Sequence, residues 1–379
     1  MKKHTIFSFI LILFLVSNCD TTSPIPSSED IVKLNTPGDD PCMQCPGGGS
    51  GDGGSPASFN HFMYFAKGRN SSNINHARSV NAPDQWQANG GTPSQWRTKE
   101  GPAAVYFNQK VYMFHVSPTS DKVIQSHADI TTSGGLSWQT TNSNIELGNG
   151  AKTNVPISAT TWNNRIFVAS KSQNNDAIYV SRSLQNDGKQ WEPTANLAVT
   201  ESENDGGFDN SFPHLDVDGW PPYLTVYNNK LYVFWVKRTT NSVFYKVKET
   251  LNGSWSARVE VTGLQNGSRR EANYGVAATE HNGKLYIAYA SKLNNSILTR
   301  QVLPTAAGIE NMTSLSQSDT DLRPTMSSDG TNLVVVYHDD DHPTDKIYYA
   351  YMNSNNTWIT NQEAAGESKH PPYLINFNH

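Results

Sequence analysis

The chain has 379 residues, with 29 lysines and arginines against 34 aspartates and glutamates, and its formal net charge is −5. Proteins that bind nucleic acid through its phosphates use a surplus of cations, so this acidic balance argues against a nucleic-acid partner. The three cysteines all precede residue 46. The remaining part of the chain therefore has to be held together by packing rather than by disulfides, and it is long enough for one complete domain.

The N-terminal segment is predicted to be a targeting signal. Lys2 and Lys3 precede an apolar run from Ile6 to Val16, and Cys19 follows. That run is shorter than the about 20 apolar residues that a membrane-spanning helix needs. A charged start, a short apolar region and a cysteine match a lipoprotein signal over residues 1–18, with acylation of Cys19 and a lipid anchor on either side of the outer membrane of a bacterial cell envelope. An ordinary secretory signal with an incidental cysteine is the alternative.

Residues 19–57 have the composition of a disordered tether. They are rich in Ser, Thr, Pro and Asp and end in a glycine-rich stretch, which buries too little apolar surface to fold. Within this tether, Cys42 and Cys45 form a C-x-x-C pair. The pair suits a small local disulfide. A redox or metal role is the alternative, although no helix start or second ligand pair accompanies it.

From residue 58 onward the sequence repeats. Each of six segments contains the apolar start of a strand, the starts are 50 to 65 residues apart, and most segments end in a tryptophan. Alternating apolar and polar residues with this spacing are typical of four-stranded blades. The sequence therefore predicts an all-β, six-bladed β-propeller over residues 58–379. The six strand starts are Ile74, Ile124, Ile178, Val243, Ile297 and Ile347.

The two ends of the repeated region are predicted to share one blade. The last residues, His370–His379, read HPPYLINFNH and match the strand PPYLTVYNN that begins at Pro221. The segment from Phe59 begins where such a strand should already have ended. We therefore expect a C-terminal strand around Tyr373–Phe377 to join strands from Phe62–Trp86 and to close the propeller.

One face of this propeller is expected to carry a ring of cations. In each blade the first strand lines the central channel, and the second strand ends on the face where the first begins. Converging cations on a partly dry surface attract a carboxylate or a sulfate, whereas polar loops without a function are the alternative. The second-strand ends hold lysine or histidine at what the sequence suggests is one equivalent position: Lys67, His115, Lys171, Lys237, Lys292 and His338.

A long acidic loop precedes the fourth blade. Loops on rigid scaffolds often carry function, and an acidic loop can also hold a calcium ion. Because the sequence has no EF-hand pattern, a Ca²⁺ site is one of two interpretations. The other is a polar loop that is solvated and binds no ion. We expect no metal in the channel-face site. The oxygen ligands for calcium would come from Asp205, Asp209, Asp216 and Asp218.

Two turns resemble the Asp-box turns of the sialidase-like propeller superfamily. Thr131–Trp138 (TTSGGLSW) and Leu184–Trp191 (LQNDGKQW) keep the glycine and the tryptophan of that motif, with Ser133 and Asn186 where its aspartate stands. The Arg-Ile-Pro signature of sialidases is absent from this sequence. The resemblance therefore implies a propeller fold and leaves a sialidase-like hydrolase as one alternative function.

The joined first blade resembles the neuraminidase-repeat propellers of polysaccharide utilisation systems, including propeller-type ulvan lyases. His370 before the first strand, an aromatic second strand, the Arg-Ser pair at Arg78 and a Pro-Asp-x-Trp turn follow their pattern. Lys67 stands where that family places a second histidine, and His115 and His338 hold corresponding places in other blades. The resemblance implies β-elimination from an acidic glycan that contains uronic acid, sulfated or not.

This reaction needs a cation for the substrate carboxylate, a base for the C5 proton and an acid for the leaving oxygen. Paired carboxylates of the hydrolase kind and nucleophile motifs do not stand out in the sequence. A glycan-binding propeller without catalysis, a lectin, would use similar groups and is the main alternative. The candidates for base and acid are His370, His338, His115 and Tyr274. The candidates for substrate binding are Arg78, Arg323, Lys67 and His76.

Overall fold

A computed structural model describes residues 60–79, 83, 85–93, 96–140, 145–147, 152–173, 177–192, 220–237, 241–261, 272–291, 294–303, 308–320, 322–339 and 345–378. Over these ranges the chain forms 24 strands in six sheets and no helix, which confirms the all-β, six-bladed propeller. Accordingly, these ranges contain no helix that could cross a membrane. The predicted signal, Cys19, the tether with Cys42 and Cys45, and the four aspartates of the suggested calcium site lie outside them.

The strands follow one another in chain order around the ring. Blade 1 contains β1 (Asn60–Lys67), β2 (Ile74–Ser79) and β3 (Trp86–Gly91). Blade 2 contains β4 (Ala103–Phe107), β5 (Lys110–Val116), β6 (Val123–Ile130), β7 (Leu136–Gln139) and β8 (Ile145–Glu146). Blade 3 contains β9 (Ser158–Trp162), β10 (Arg165–Lys171) and β11 (Ile178–Arg182).

The second half of the ring repeats this plan. Blade 4 contains β12 (Tyr223–Tyr227), β13 (Lys230–Lys237), β14 (Ser242–Lys248) and β15 (Val259–Glu260). Blade 5 contains β16 (Ala272–His281), β17 (Lys284–Ser291), β18 (Ser296–Leu303) and β19 (Gly308–Asp319). Blade 6 contains β20 (Thr325–Ser328), β21 (Leu333–His338), β22 (Lys346–Met352) and β23 (Trp358–Glu367), and β24 (Tyr373–Asn378) returns to blade 1.

Blade 1 is closed by strands from both ends of the repeated region, as predicted. Strand β24 pairs antiparallel with β1, and Tyr373 lies opposite Phe65. The corresponding pair in blade 4 is Tyr223 opposite Phe234. The register of blade 1 is therefore that of a hairpin whose connection has been cut. The six first strands, β24, β4, β9, β12, β16 and β20, contact one another in a closed ring around the channel.

Asparagine-rich turns fix the hairpin between the first and second strands of blades 2 to 5. Both central residues of each turn have positive φ, as a type I′ turn requires. Asparagine tolerates this backbone because its short polar side chain bonds locally. These turns set the register that carries each second strand up to the channel face. The four turns are Asn108-Gln109, Asn163-Asn164, Asn228-Asn229 and Asn282-Gly283.

The repeated tryptophans pack between blades. The Trp138 ring of blade 2 lies edge-on to Phe65 of blade 1, with 6.3 Å between the ring centroids. Trp191 of blade 3 meets Phe114 of blade 2 in the same way at 5.7 Å. Trp86 of blade 1 continues the pattern against blade 6. Because each large ring buries much apolar surface, these contacts hold neighbouring blades together.

Two tyrosines cross the channel and block its axis. The Tyr373 hydroxyl of blade 1 donates to the Ala159 carbonyl of blade 3 at 2.5 Å and accepts from the Ala159 amide at 2.9 Å. The Tyr223 hydroxyl of blade 4 donates to the Met326 carbonyl of blade 6 at 3.1 Å. The two rings stack with their centroids 5.9 Å apart. A cavity of about 170 Å³ remains on the hairpin side of this plug, lined by all six first strands.

Candidate functional site

Hydroxyl groups brace the backbone at the channel face, where the first strands begin. In four blades a buried Ser or Thr donates to the carbonyl of the residue two positions further on, just ahead of the first strand, at 2.6 to 3.4 Å. We call the braced residues the pre-strand residues. Such a bond fixes the direction in which the chain enters the blade. The four pairs are Thr98 with Glu100, Thr153 with Val155, Thr320 with Leu322 and Ser368 with His370.

Of these four pre-strand residues, Glu100 and His370 carry ionisable side chains, and they belong to neighbouring blades. The Nδ1 atom of His370 lies 3.8 Å from Oε2 of Glu100. On the other side of the ring, Nζ of Lys67 lies 2.7 Å from Nε2 of His370 and 2.7 Å from the Lys99 carbonyl oxygen. We call Lys67, His370 and Glu100 the lysine–histidine cluster. Both Glu100 and His370 are buried.

The contacts of His370 define its tautomer and its charge. A lysine ammonium has only protons to give, so Nε2 of His370 accepts from Lys67 and Nδ1 carries the proton that faces Glu100. Burial lowers the pKa of His370 to about 3, and the positive charges of Lys67 and His338 act in the same direction. At neutral pH this imidazole is therefore uncharged, and its Nε2 lone pair is taken by the Lys67 ammonium.

A second charged group lies at the blade 6 side of the same face. Nε2 of His338 lies 3.6 Å from Oδ1 of Asp345. The Arg69 guanidinium pairs with Asp345 and lies 3.6 Å from Glu367. We call His338, Asp345, Arg69 and Glu367 the arginine cluster. It adjoins the lysine–histidine cluster along the chain, because Arg69 follows Lys67 by two residues and Glu367 precedes His370 by three.

His115 is placed differently from the sequence prediction. Phe114 pairs with Ala103 in blade 2 as Phe65 pairs with Tyr373 in blade 1, so Val116 corresponds to Lys67 and His115 is one residue out of register. Its side chain therefore lies on the face of the sheet opposite to the one that carries the Lys67 side chain in blade 1. Nδ1 of His115 donates to the Arg97 carbonyl at 3.0 Å.

The same comparison corrects the expected ring of equivalent cations. Phe234 pairs with Tyr223, so Val236 rather than Lys237 corresponds to Lys67. The positions of Lys171 and His338 do correspond, and Lys292 lies outside the described residues. The ring was inferred by counting from the apolar starts, and a slip of one residue in a strand exchanges the two faces of the sheet.

Arg323 lies at the channel plug. It is buried, and its guanidinium donates to the carbonyls of Pro222 at 3.0 Å and Ile157 at 3.2 Å and lies over the Tyr223 ring. These contacts join blade 6 to blades 3 and 4. A guanidinium committed to two buried carbonyls has a structural role, and its predicted binding of a carboxylate stays a prediction.

Tyr274 lies in a strained stretch of β16, next to a glycine that approaches Arg323. It has a φ of 59°, which is uncommon for a bulky residue, and it lies in a bulge between Asn273 and Val276. Gly275 follows with a φ of 105°, and a Cβ there would come within 3.3 Å of the Arg323 side chain. The bulge thus lets blade 5 pass closely over Arg323 at the mouth of the channel.

Arg78 and His76 lie away from the two clusters, on β2. Arg78 donates to the Ser133 carbonyl in blade 2. His76 is buried, and its ring stacks on Phe65 at 5.8 Å and meets Trp138 edge-on at 6.2 Å. Burial lowers the pKa of His76 to about 4, helped by the charge of Arg78. Both side chains join blade 1 to blade 2, and their predicted roles in substrate binding stay predictions.

The structure adds Glu100, Asp345 and Arg69 to the site. A sequence signal for Glu100 exists: it follows Thr98 and precedes Gly-Pro as His370 follows Ser368 and precedes Pro-Pro. Asp345 and Arg69 have no comparable signal, because their pairing depends on two loops from different blades. Within the described ranges, no group of three or more His, Cys, Asp or Glu side chains is arranged to hold a metal ion.

Comparison with known proteins identifies the fold class. No protein-family model and no curated protein matches the sequence. Among solved structures, the chain is similar to AofleA from Arthrobotrys oligospora, here as a triple-arginine mutant, with a TM-score of 0.54 at 9% identity over 84% of this chain and 92% of that one. It is also similar to a protein of unknown function from Dyadobacter fermentans, with a TM-score of 0.50 at 11% identity over 81% and 88% of the two chains.

Carbohydrate-active enzymes occur among the weaker matches. One is the GH43_1 enzyme from Xanthomonas citri complexed with xylose, with a TM-score of 0.46 at 12% identity over 69% of this chain and 89% of that one. At such low identities the matches with TM-scores of 0.50 or more show the fold alone, and the weaker ones carry no conclusion about the fold or the reaction. The predicted resemblance to ulvan lyases and sialidases is not confirmed by these structures.

Proposed function

We propose that the protein is a carbohydrate-active enzyme that cleaves or dehydrates an acidic glycan by β-elimination at the lysine–histidine cluster. The observation that carries this proposal is the uncharged, buried ring of His370 held between the Lys67 ammonium and the Glu100 carboxylate. Ionisable groups with strongly shifted pKa values in a concave face are candidates for catalysis. The expected substrate contains uronic acid, with or without sulfate.

In the proposed reaction, Lys67 neutralises the substrate carboxylate. Before substrate binds, Lys67 donates to Nε2 of His370 and so occupies the lone pair that a base needs. A carboxylate that pairs with Lys67 would draw the ammonium away and offset its charge. Because that charge lowers the pKa of His370, binding of the substrate would make His370 a stronger base at the moment when it is required.

The proposed step removes one proton from the substrate and breaks one C–O bond. His370 Nε2 takes the C5 proton, and the electron pair of that C–H bond forms the C4–C5 double bond while the C4–O bond breaks. The leaving oxygen receives a proton from an acid. His338, whose Nε2 faces Asp345 at 3.6 Å, is our candidate for that acid, and Tyr274 at the channel mouth is the other.

The test is the appearance of an unsaturated product from uronic-acid polysaccharides and their oligomers, followed by ultraviolet absorbance of the conjugated double bond. Changing His370→Ala should lower turnover by about 10²–10⁴-fold without changing the thermal midpoint by more than a few degrees. The control His127→Ala removes a histidine that stacks on Tyr112 in β5 and lies outside both clusters. Equal activity of H370A and the parent would refute the assignment.

A glycan-binding function without catalysis is the second candidate. It is supported by the pairing of the charged groups in the arginine cluster, which holds hydrogen-bond donors and acceptors for sugar hydroxyls in place. If the protein only binds glycans, we expect saturable binding of an acidic oligosaccharide and no unsaturated product from any of the uronic-acid polysaccharides or oligomers tested. A sialidase-like hydrolase would instead release a saturated sugar.

We also propose that the protein is anchored in a bacterial envelope membrane through a lipid on Cys19. The sequence before this cysteine supports it, and the Ser/Pro/Gly-rich tether offers no apolar segment as a substitute. The variant Cys19→Ser should move from the membrane fraction to the soluble fraction. Its continued presence in the membrane fraction would count against acylation.

A further inference from the structure

A groove of about 410 Å³ opens between the outer strands of blades 1 and 6. This volume lies in the range of small-molecule sites in proteins. The groove lies at the channel-face ends of β2 and β22. There the backbone of Lys346 lies opposite that of Glu367 in the β22–β23 pair. Its lining residues are Arg69, Asn75, Lys346, Glu363, Gly366 and Glu367.

The groove adjoins the arginine cluster, because Arg69 and Glu367 belong to both. Arg69 lines it and also pairs with Asp345, which in turn faces His338. A chain that has one sugar at Lys67 and His370 would therefore meet the arginine cluster first and then the groove. The next sugar of a bound glycan would lie between blades 1 and 6.

The charges in the groove balance. The Lys346 ammonium lies 2.7 Å from Glu363, and Arg69 is shared between Asp345 and Glu367. A surface with paired charges does not concentrate anions in the way that a surplus of cations does. It does offer hydrogen-bond donors and acceptors side by side, and sugar hydroxyls need both.

The backbone keeps one wall of the groove free of side chains. Gly366 has a φ of 119°, a conformation that L side chains rarely adopt, and a Cβ there would lie 3.3 Å from the Tyr64 hydroxyl. Any other residue at this position would be strained and would come close to the buried Tyr64 hydroxyl. At Gly366, β23 therefore presents only backbone to the groove.

We propose that this groove is a subsite for an uncharged sugar residue, adjacent to the acidic residue at Lys67. This inference rests on the proposed function and narrows it. The substrate would be a mixed glycan in which uronic acid and a neutral sugar are neighbours, rather than a polymer of uronic acid alone. Recognition of the neutral unit comes from Asn75 and Lys346 as donors and from the groove carboxylates as acceptors.

The experiment compares three ligands by titration calorimetry: glucuronate, a disaccharide of glucuronate and a neutral hexose, and a diglucuronate of the same length. The variant Asn75→Leu, Lys346→Met keeps the bulk of both side chains and removes their donors. It should weaken the binding of the mixed disaccharide by about tenfold, the equivalent of one or two hydrogen bonds. The affinity for glucuronate should stay unchanged. The parent should bind diglucuronate more weakly than the mixed disaccharide.

The control is Lys230→Met, which removes another surface lysine that pairs with a glutamate, Glu249, at the hairpin end of blade 4. It should change none of the three affinities. Equal weakening of the mixed disaccharide and glucuronate, or no weakening of either, would overturn the subsite, as would tighter binding of diglucuronate by the parent. Binding of the mixed disaccharide with the expected loss but without any unsaturated product would keep the subsite and overturn β-elimination. A parent that binds none of the ligands overturns both.

Discussion

The ionisation of His370 depends on the two side chains on either side of its ring. Lys67 lies 2.7 Å from one ring nitrogen and Glu100 lies 3.8 Å from the other. An ammonium disfavours a second positive charge, whereas a carboxylate favours it. Burial and the charge of Lys67 outweigh Glu100, since the pKa of His370 is lowered to about 3. The basicity of this ring can therefore be changed through its neighbour without changing the ring.

The variant Lys67→Met is expected to raise the pKa of His370 toward the ordinary histidine value, because it removes a positive charge and keeps the apolar stem. Titration of the imidazole signals by NMR measures this directly. Lys230→Met, far from the site on the hairpin side, is the matched control and should leave the titration unchanged. A pKa that stays where it was in K67M would mean that Lys67 does not contribute to it.

Two tyrosine hydroxyls provide a matched test of what stabilises the channel plug. The Tyr373 hydroxyl bonds Ala159 twice, whereas the buried Tyr64 hydroxyl has no hydrogen-bond partner among the described residues. Removing a satisfied buried bond destabilises, and removing an unsatisfied group does not. Tyr373→Phe should thus lower the free energy of unfolding by about 1–3 kcal/mol in denaturant titrations, and Tyr64→Phe should leave it unchanged or raise it. Equal losses in both variants would contradict this account.

At the scale of the strand, β24 has two tasks. It pairs with β1 and so completes blade 1, and it brings Tyr373 into the channel. Without it, the first strands β4 and β20 lose their shared neighbour, and β1 becomes an unpaired edge. One short strand therefore closes the ring of blades and also supplies a tyrosine that blocks the central channel.

Deleting Pro371–His379 should lower the thermal midpoint sharply and broaden the transition, as measured by circular dichroism. The control removes the same number of residues from the predicted tether and should leave the midpoint unchanged. Adding the excised segment back as a free peptide should restore part of the loss. A truncated protein that melts like the parent would mean that the shared blade does not close the ring.

Sequence patterns at the level of strands predicted the blades because each is local. The apolar strand starts recur every 50 to 65 residues and most segments end in a tryptophan, and both patterns can be recognised without knowing any distant contact. The position of His115 could not be obtained in this way, since one residue of register decides which side of the sheet it leaves. The pairing of Arg69 with Asp345 was equally hidden, because residues more than two hundred positions apart meet only in the closed ring.

For the whole molecule, several histidines are buried in their neutral form. Burial lowers the pKa of His76 and of His115 to about 4, and that of His370 to about 3. In the unfolded chain these groups titrate near 6.5. Between about pH 6.5 and 4 the unfolded state therefore binds more protons than the folded state, so stability is full above about pH 6.5 and decreases as the pH falls.

The thermal midpoint is accordingly expected to fall steadily between about pH 6.5 and pH 4. His76→Phe, which keeps an aromatic ring against Phe65 and Trp138, should flatten this dependence, because one proton fewer separates the two states. Calorimetric scans across this pH range measure both slopes. A variant with the slope of the parent would show that His76 does not titrate on unfolding.

The cut hairpin of blade 1 also has a consequence for how the protein is made. Strand β1 is synthesised first and its partner β24 after every other strand of the propeller, so at about 5–20 residues per second β1 waits on the order of 15–60 s for that partner. Until then neither the ring nor the bonds of Tyr373 across its axis can form. A chain carrying an export signal would thus reach the translocation machinery while still open, and closure would take place on the far side of the membrane.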